Sequence, residues 1–330
     1  MVSGFLGPPM RGGTMTNGPA IEVQGLRKVF PSGVEAVSGV DFAVQPGEVF
    51  SLLGPNGAGK STTIGMLTGT VAPTEGSARL AGFDVATEPL AARRTSSVLF
   101  QEPVVDRQLT GRRNLEIHAR LWGVPSREIA GRLEEIVEAF TLSDLIERPV
   151  ATYSGGERRR LEIARTLVSE PTVLFLDEPT VGLDPRIRLE LLDVMARLRE
   201  RNEMTLLLTT HYLDEAERLS DRIAIMRAGR IVASGSAREL IAGLGEQLLE
   251  LRVHGDPGAS LASLARAGIA GRDAFAVGST LIVPARGRGA DEARAAAAST
   301  GAEVLSAVQR RTTLDDVYLW LTGDDLADAA

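Results

Sequence analysis

The sequence predicts an α/β protein with a small α+β domain at its C-terminal end, and three features carry this prediction. A glycine-rich segment, GPNGAGKS at 54–61, lies between an apolar run and a helical pattern. Two continuous apolar runs, 173–176 and 204–209, are typical of buried parallel strands. From about residue 246, short strand-like and helix-like pieces alternate. We expect a flexible tail over 1–19, a main domain over 20–240 and an α+β accessory domain over 241–330.

The composition limits the classes of function. The chain has 330 residues, which suits two domains, and 44% of them are hydrophobic. Its net charge of −7 gives no general attraction to nucleic acid, so we expect no nucleic-acid partner. It has no cysteine and three histidines, which argues against disulfides and against thiolate or histidine metal clusters. No run approaches the roughly 18 apolar residues that cross a bilayer, so work at a membrane would need a second chain.

The glycine-rich segment predicts a phosphate-binding loop. Its glycines let backbone N–H groups and a helix N-terminus point together at an anion. Lys60 would reach the β- and γ-phosphates of a nucleotide, and the Ser61 hydroxyl would take one Mg²⁺ position. A glycine-rich turn that binds nothing is disfavoured, because all the fixed positions of the pattern stand between a strand and a helix. The candidate nucleotide-binding residues are Gly54, Pro55, Asn56, Gly57, Ala58, Gly59, Lys60, Ser61 and Thr62.

Segments on either side of the loop supply further candidates. Residues 21–44 alternate as antiparallel strands do, and Phe30 near the end of one of them either stacks on an adenine base or belongs to the core. Gln101 follows a predicted strand, where its amide could bond a metal-bound or attacking water, although an ordinary loop glutamine is the commoner case. From Thr110 to Phe140 the spacing of apolar residues predicts a helical insert.

A second anion site is predicted at Ser154, Gly155, Gly156 and Glu157. A hydroxyl, bare backbone N–H groups and the positive end of a helix dipole coincide there. The alternative is a plain helix N-cap, which a Ser-Gly-Gly triplet by itself would usually be.

Two acids stand at the end of the apolar run 173–176, at the sheet edge where ligands bind in α/β folds. Asp177 could hold Mg²⁺ through water, and Glu178 could orient or deprotonate an attacking water. His211 follows the other apolar run and could donate a hydrogen bond to a terminal phosphate oxygen, although a lone histidine is more often structural. Asp184 lies in a turn before the next helix.

Together these elements resemble the ATPase subunit of ATP-binding-cassette transporters. The resemblance covers about residues 20–240 and implies a phosphate-loop NTPase cassette with an antiparallel β subdomain and a helical insert. It implies ATP and Mg²⁺ as ligands and two cassettes closed head to tail, so that each Ser-Gly-Gly caps the nucleotide of the other chain. The implied roles are an adenine-stacking Phe30, a glutamine linking metal and insert at Gln101, a signature at Ser154 to Glu157, a catalytic Glu178, an inter-cassette Asp184 and a switch His211.

One position departs from the family pattern. Tyr153 stands where the signature usually has leucine, which leaves the phosphate contacts of Ser154 and the backbone untouched. The C-terminal segment TLDDVYLWLTG at 313–323 resembles the tail of the daunorubicin/doxorubicin-resistance group of drug-exporter ATPases.

That resemblance implies a homodimer on the cytoplasmic side of the membrane that powers drug export through a separate membrane-spanning permease. An importer ATPase and a soluble cassette ATPase of translation or repair are the alternatives. The soluble translation factors usually carry two cassettes in one chain, and the repair members carry long insertions, neither of which is present here.

Overall fold

The computed structural model of the chain describes residues 18–202, 204–299 and 303–323. The chain divides into two compact units, Met1–Ile231 and Val232–Ala330. The division therefore lies upstream of the boundary expected at residue 240. Of the predicted tail over 1–19, only Gly18 and Pro19 are among the described residues.

The elements up to residue 235 follow one another in an α/β order, with strands and helices interleaved, and the last strand crosses the division between the two units. In chain order they are β1 (Ile21–Val29), β2 (Glu35–Val44), β3 (Val49–Leu53), α1 (Lys60–Leu67), β4 (Glu75–Leu80), β5 (Phe83–Asp84), α2 (Pro89–Arg94), β6 (Ser96–Leu99), α3 (Gly111–Leu121), α4 (Ser126–Ala139), α5 (Gly155–Leu167), β7 (Val173–Asp177), α6 (Pro185–Asn202), β8 (Thr205–Thr210), α7 (Leu213–Leu219), β9 (Arg222–Arg227) and β10 (Arg230–Gly235).

A parallel sheet forms the centre of this unit. Its strand order is β9-β3-β8-β7-β6, with β10 beside β9. Every residue of β3, β7 and β8 is buried, as the apolar runs predict for strands covered on both faces. Asp177 lies beside Thr209, and Leu53 lies beside Thr210. The carboxyl ends of β3, β7 and β8 therefore meet at one edge.

An antiparallel sheet of order β2-β1-β4-β5 leads into the parallel sheet. The apolar residues of β1 face inward and share one core with Phe50 and Leu52 of β3. The predicted antiparallel subdomain is therefore confirmed. This subdomain covers one face of β3 immediately before the glycine-rich loop.

The predicted helical insert is also confirmed, as the pair α3 and α4. Leu115 of α3 and Leu133 of α4 share a core with Leu161 of α5. Tyr153, the residue that replaces the usual leucine, is buried, and its hydroxyl donates a hydrogen bond of 2.6 Å to the Leu145 carbonyl. The tyrosine therefore ties the start of α5 to the insert.

The second unit is the predicted α+β module. Its elements are α8 (Ala237–Leu244), β11 (Gln247–His254), α9 (Pro257–Arg266), β12 (Phe275–Val277), β13 (Thr280–Pro284), α10 (Ala290–Ala298), β14 (Glu303–Arg311) and α11 (Leu314–Thr322). The strands form an antiparallel sheet of order β12-β13-β11-β14. Leu249, Leu251 and Val253 of β11 pack with residues of α9 and α10 on one face.

Helix α11 is fixed to this sheet by Arg310. Both terminal nitrogens of its guanidinium donate to the Asp316 carboxylate at 2.7 Å, and its Nε donates to Glu250 at 2.5 Å. Asp316 also accepts from the Thr313 backbone at 2.8 Å, which begins the helix. The segment that resembles the exporter tail therefore starts on a charge network in which Asp316 is buried and Arg310 is half-buried.

Helices α7 and α8 are not among the predicted elements. Four of the seven residues of α7 are charged, so its apolar period is weak. Helix α8 is eight residues long and begins with a Ser236 capping box.

Candidate functional site

The glycine-rich loop turns between β3 and α1, where the pattern predicts it. Gly57 and Gly59 have positive φ angles of 79° and 105°. A Cβ atom on Gly59 would lie 2.3 Å from the Ala36 carbonyl oxygen, and one on Gly54 would lie 2.4 Å from the Met226 carbonyl oxygen. Neither glycine can be replaced without moving backbone. The loop therefore packs tightly on its neighbours and ends with Gly59 as the N-cap of α1.

Lys60, the first residue of α1, is buried behind the loop. Its Nζ donates to the Gly54 carbonyl at 2.8 Å and to the Pro55 carbonyl at 3.1 Å, and it lies 3.4 Å from Glu178 Oε1. Burial lowers the pKa of the Lys60 ammonium, and the Glu178 carboxylate opposes that shift. The lysine therefore stays beside the loop with its charge balanced by an acid.

Ser61 and Asp177 lie together, as their predicted metal roles require. The Ser61 hydroxyl donates to Asp177 Oδ1 at 3.0 Å, and the Thr209 hydroxyl donates to the same oxygen at 2.5 Å. A hydroxyl oxygen and a carboxylate oxygen suit Mg²⁺, a hard cation that prefers oxygen ligands. No group of three or more acids or histidines that could hold a metal occurs among the described residues. A cation here would therefore take other oxygens from its ligand phosphates and water.

Glu178 occupies a constrained position at the end of β7. Its φ of 45° is in the left-handed region, and its N–H bonds the Thr209 carbonyl at 3.1 Å and the Thr209 hydroxyl at 3.0 Å. Its Oε1 lies 3.4 Å from Lys60 Nζ and 3.5 Å from His211 Nδ1. The His211 imidazole, helped by the Lys60 ammonium, holds the pKa of the Glu178 carboxyl below its ordinary value against the opposing effect of burial. The carboxylate is therefore ionised at neutral pH.

The position of His211 depends on a buried carboxylate that the sequence did not single out. Glu215 is fully buried; it accepts hydrogen bonds from the hydroxyls of Thr180 and Thr210 and from Arg188 Nε, the last two at 2.7 and 2.9 Å. The Arg188 guanidinium also lies over the Tyr212 ring, 3.9 Å from its centroid. Residues on both sides of His211 are thus held in place from α6 and α7.

The Ser154–Glu157 element begins α5 and caps it. The Glu157 backbone N–H donates to Ser154 Oγ at 3.3 Å, and the Ser154 N–H donates to the Glu157 carboxylate at 2.7 Å. The plain N-cap alternative is therefore present in the structure. Ser154 and Gly155 are nevertheless exposed, and a Cβ on Gly155 would meet nothing within 4 Å. By contrast, a Cβ on Gly156 would lie 2.5 Å from the Ile187 side chain.

Three predicted residues are not brought into this cluster. Phe30 is half-buried, with Lys28 Nζ 5.2 Å from its ring centroid. Gln101 is exposed just beyond β6, and no hydrogen bond between described residues joins its side chain to Ser61 or Asp177. Asp184 is exposed, and its carboxylate accepts from the N–H groups at the start of α6. Of the remaining loop residues, Ala58 is buried, Pro55 and Thr62 are half-buried and Asn56 is exposed.

Besides Glu215, two further contributors are absent from the predicted set. Thr209 bonds both Asp177 and Glu178, but in the sequence it is one residue of a buried strand. Arg159 lies in the run Arg158–Arg160, and three consecutive arginines are typical of a solvent-exposed helix face. The Arg159 side chain is nevertheless buried. A threonine near the end of an apolar run, two residues before the candidate His211, is the signal that could have found Thr209. No comparable signal separates Arg159 from its neighbours.

The loop between β3 and α1, the acids after β7 and the histidine after β8 define a phosphate-loop ATPase of the cassette type. A family model described as ABC transporter matches residues 37–181. The chain is 42% identical to the daunorubicin/doxorubicin resistance ATP-binding protein DrrA of Streptomyces peucetius, over 94% of each chain. It is 38% identical to the Nod factor export ATP-binding protein I of Ralstonia nicotianae, over 94% of this chain and 96% of that protein.

A solved structure described as the ATP binding subunit of an ABC transporter has the same fold. It superposes with a TM-score of 0.62 at 31% identity, covering 68% of this chain and 92% of that one. The chain therefore belongs to the ABC transporter family as an ATP-binding subunit, and its activity is the ATP hydrolysis that this class couples to transport. The predicted family, fold class and enzyme class are confirmed. Among the described residues, no helix combines the length and the apolar character needed to cross a membrane.

Proposed function

We propose that the cluster at the ends of β3, β7 and β8 is the nucleotide site, with Glu178 as the general base. The observation that carries the proposal is the position of Glu178 Oε1 between Lys60 Nζ at 3.4 Å and His211 Nδ1 at 3.5 Å. A carboxylate between two groups that can donate to phosphate would face the γ-phosphate of a bound nucleotide. Ser61 and Asp177 would hold Mg²⁺ directly or through water. Gln101, just beyond β6, would add its side-chain amide to these ligands if the end of β6 moves toward them.

The proposed chemistry follows from the charges of these side chains. The lowered pKa keeps the Glu178 carboxylate unprotonated at neutral pH, which is the form that a general base needs. The Lys60 ammonium would move from the Gly54 and Pro55 carbonyls to phosphate oxygens, which are stronger acceptors because they are charged. His211 would orient the terminal phosphate. Bound Mg²⁺ supplies neutralisation of the charge that develops on the phosphate oxygens.

Replacement of Glu178 by Gln tests the proposed base. The amide keeps the size of the side chain but cannot accept the proton, so kcat for ATP hydrolysis should fall about 100-fold or more. The affinity for ATP, measured by equilibrium binding of a fluorescent analogue, should stay within about threefold of that of the unmodified chain. The control is Glu134→Gln at an exposed position of α4, which should hydrolyse normally. Normal turnover by Glu178→Gln would refute the assignment.

We further propose that this chain works as a homodimer with two composite sites. Cassette ATPase subunits act in pairs, and a single chain carries one phosphate loop and one Ser154–Glu157 element. The support from this chain is the exposure of Ser154 and Gly155, whose backbone is open to a partner. Phe30 would contact the adenine of the nucleotide on its own loop, and Asp184 would lie at the contact between the two cassettes.

The partner on the membrane side is proposed to be a separate permease that docks on the helical insert, on residues from Pro103 to Trp122. Val104 is 52% exposed and Leu121 is 73% exposed. In contrast, Leu115 is fully buried, and the Trp122 indole nitrogen donates to the Ser96 carbonyl at 3.2 Å. The insert therefore presents apolar side chains that its own core does not use, and the chain would lie at the cytoplasmic face of the membrane.

Charge substitutions separate docking from a purely internal role of the insert. Val104→Glu and Leu121→Glu should abolish co-purification with the permease and transport, and leave ATP affinity within about twofold. Leu90→Glu is the matched control, because Leu90 is an equally exposed apolar residue, 72% exposed, on α2 outside the insert. Retention of permease binding by both insert variants would place the contact elsewhere.

We propose a drug-like or antibiotic-like small molecule as the exported substrate. The support is the identity of 42% over nearly the whole chain with a daunorubicin/doxorubicin resistance protein, which includes the C-terminal unit. The test uses cells that express this chain with its permease and daunorubicin as a fluorescent probe. Accumulation should fall relative to cells with the Glu178→Gln chain. Equal accumulation of this and of other amphipathic drugs in both strains would reject the substrate class without affecting the assignment of the ATPase.

A further inference from the structure

Arg159 is a buried cation on α5, the helix that begins with the Ser154–Glu157 element. Its side chain is 8% exposed. Its Nη1 lies 3.0 Å from the carboxylate of Glu162, one turn further along the same helix, which is itself 2% exposed. This ion pair alone would balance the buried charge. The guanidinium nevertheless makes three more hydrogen bonds, and all of them leave the helix.

These three bonds reach the ends of two neighbouring strands. Nε donates to the Pro179 carbonyl at 2.6 Å, and Nη2 donates to the Glu178 carbonyl at 3.1 Å. Nη1 donates to the Phe100 carbonyl at 2.9 Å. Phe100 directly precedes Gln101. The same guanidinium therefore holds the backbone of Glu178 and the backbone next to Gln101, two residues of the proposed site.

The backbone that Arg159 holds is strained. Glu178 is not a glycine, yet its φ is 45°, a left-handed conformation that residues with a side chain rarely adopt. Its N–H is fixed by Thr209, and its carbonyl is fixed by Arg159. The residue is thus restrained on both sides of the strained torsion. Such restraint keeps the carboxylate aimed between Lys60 and His211 rather than relaxed away from them.

We propose that Arg159 is a positioning residue for hydrolysis: it holds Glu178 in its left-handed conformation and couples it to the strand end that carries Gln101. The inference rests on the proposed function, because it concerns how the proposed base is aimed. A purely structural role would need the pair with Glu162 but not the three carbonyls. Only arginine has a planar fork of donors that can bridge both strand ends, whereas lysine keeps the charge without that geometry.

The test compares Arg159→Lys with Arg160→Lys, the same change at the next residue of α5. Lysine at 159 can still pair with Glu162 but cannot hold three carbonyls. We expect kcat to fall roughly 10- to 100-fold, the loss typical of a misplaced catalytic group, with ATP affinity within about threefold. Arg160→Lys should retain normal kcat. Thermal unfolding is measured for each chain, and Arg159→Gln replaces Arg159→Lys if the latter does not fold.

A double variant that carries both Arg159→Lys and Glu178→Gln shows whether Arg159→Lys lowers kcat by misplacing Glu178. In that background Arg159→Lys should lower single-turnover hydrolysis by less than about twofold, because the group it aims is already disabled. A normal kcat for Arg159→Lys, an equal loss of ATP affinity and kcat, or the same fold loss in both backgrounds would overturn the inference. Normal turnover by Glu178→Gln alone would instead remove the proposed base, and the inference with it.

Discussion

The phosphate-loop cluster and the Ser154–Glu157 element belong to the same unit, yet they differ in how many contacts their residues make with the rest of the chain. In the cluster, Lys60, Ser61, Asp177, Glu178 and His211 are joined by contacts within one chain. Within the part of the chain that the structure describes, the Ser154–Glu157 element has no comparable partners: its first two residues are exposed, and its capping bonds serve α5.

This difference bears on the proposal that the nucleotide site is shared between two chains. Buried polar groups must be paired within the fold, because an unpaired one costs about 1–3 kcal/mol. Lys60, Asp177 and Glu178 of the cluster are buried, and their charged groups are paired within the chain. The exposed element is under no such requirement, so its open backbone is free to bind a ligand carried by another chain. Substitutions can disrupt either the phosphate-loop cluster or the Ser154–Glu157 element and leave the other unchanged.

The largest effect is expected from mixing two inactive chains. Lys60→Ala disables the cluster and Ser154→Arg blocks the exposed element, so each variant alone should have kcat lower by about 100-fold or more. A mixed dimer contains one site in which both halves are intact. ATPase activity should therefore return on mixing, up to about a quarter of the normal rate for random pairing of equal amounts.

Sedimentation of the mixture establishes that dimers form, and circular dichroism establishes that both variants fold. With those two conditions met, an absence of activity at every mixing ratio would contradict the composite site. Activity of Ser154→Arg alone would show that the cluster works without the partner's element.

A smaller effect, on the free energy of unfolding, is expected in mild acid. It should arise at His118, which contacts α5, the helix that begins with the Ser154–Glu157 element. His118 of α3 is buried, with its Nδ1 2.9 Å from Arg165 of α5. Burial, and then the Arg165 charge, lower its pKa from 6.5 to about 3. Between these values the unfolded chain binds the extra proton, so the free energy of unfolding should fall as pH falls, by up to about 1.4 kcal/mol per pH unit.

The cluster should respond in a different pH window. The pKa of Glu178 is lowered from 4.5, so its contribution to stability is present above 4.5 and is lost only as pH falls further. Urea unfolding at pH 7.5, 6.5 and 5.5 therefore covers the pH window of His118 and stays above that of Glu178. His118→Gln, which keeps an acceptor for Arg165, should show a shallower pH dependence. Identical slopes for the two chains would refute the assignment.

The smallest effect comes from two adjacent glycines. Gly156→Ala would place a Cβ 2.5 Å from Ile187 Cδ1 and should destabilise the chain by about 1–3 kcal/mol through overpacking. Gly155→Ala meets nothing within 4 Å and should leave the urea midpoint unchanged. If Gly155 approaches a partner's nucleotide, its alanine variant should still lose ATPase activity. A stable, fully active Gly155→Ala chain would remove this residue from the site.

Much of the fold and several site residues could be predicted from the sequence, because the signals are local. The strand-loop-helix pattern around Lys60 depends on glycine backbone freedom and on neighbouring apolar runs. The runs that end at Asp177 and near His211 are buried parallel strands, and parallel strands bring their carboxyl ends to one edge. The resemblance to cassette ATPases rests on the same short segments, and the relatives confirm it.

What the tertiary structure alone decided is the pairing of side chains far apart in the chain. Nothing in the Arg158–Arg160 run distinguishes Arg159, because its carbonyl partners come from two other strands. Likewise, Thr209 becomes a bridge only when the sheet register sets it beside Asp177. Glu215 is an ordinary helix acid until α6 supplies Arg188. The sequence determined which local elements form, and packing between distant elements determined which polar groups hold the site, since a buried donor takes whichever acceptor the fold places within reach.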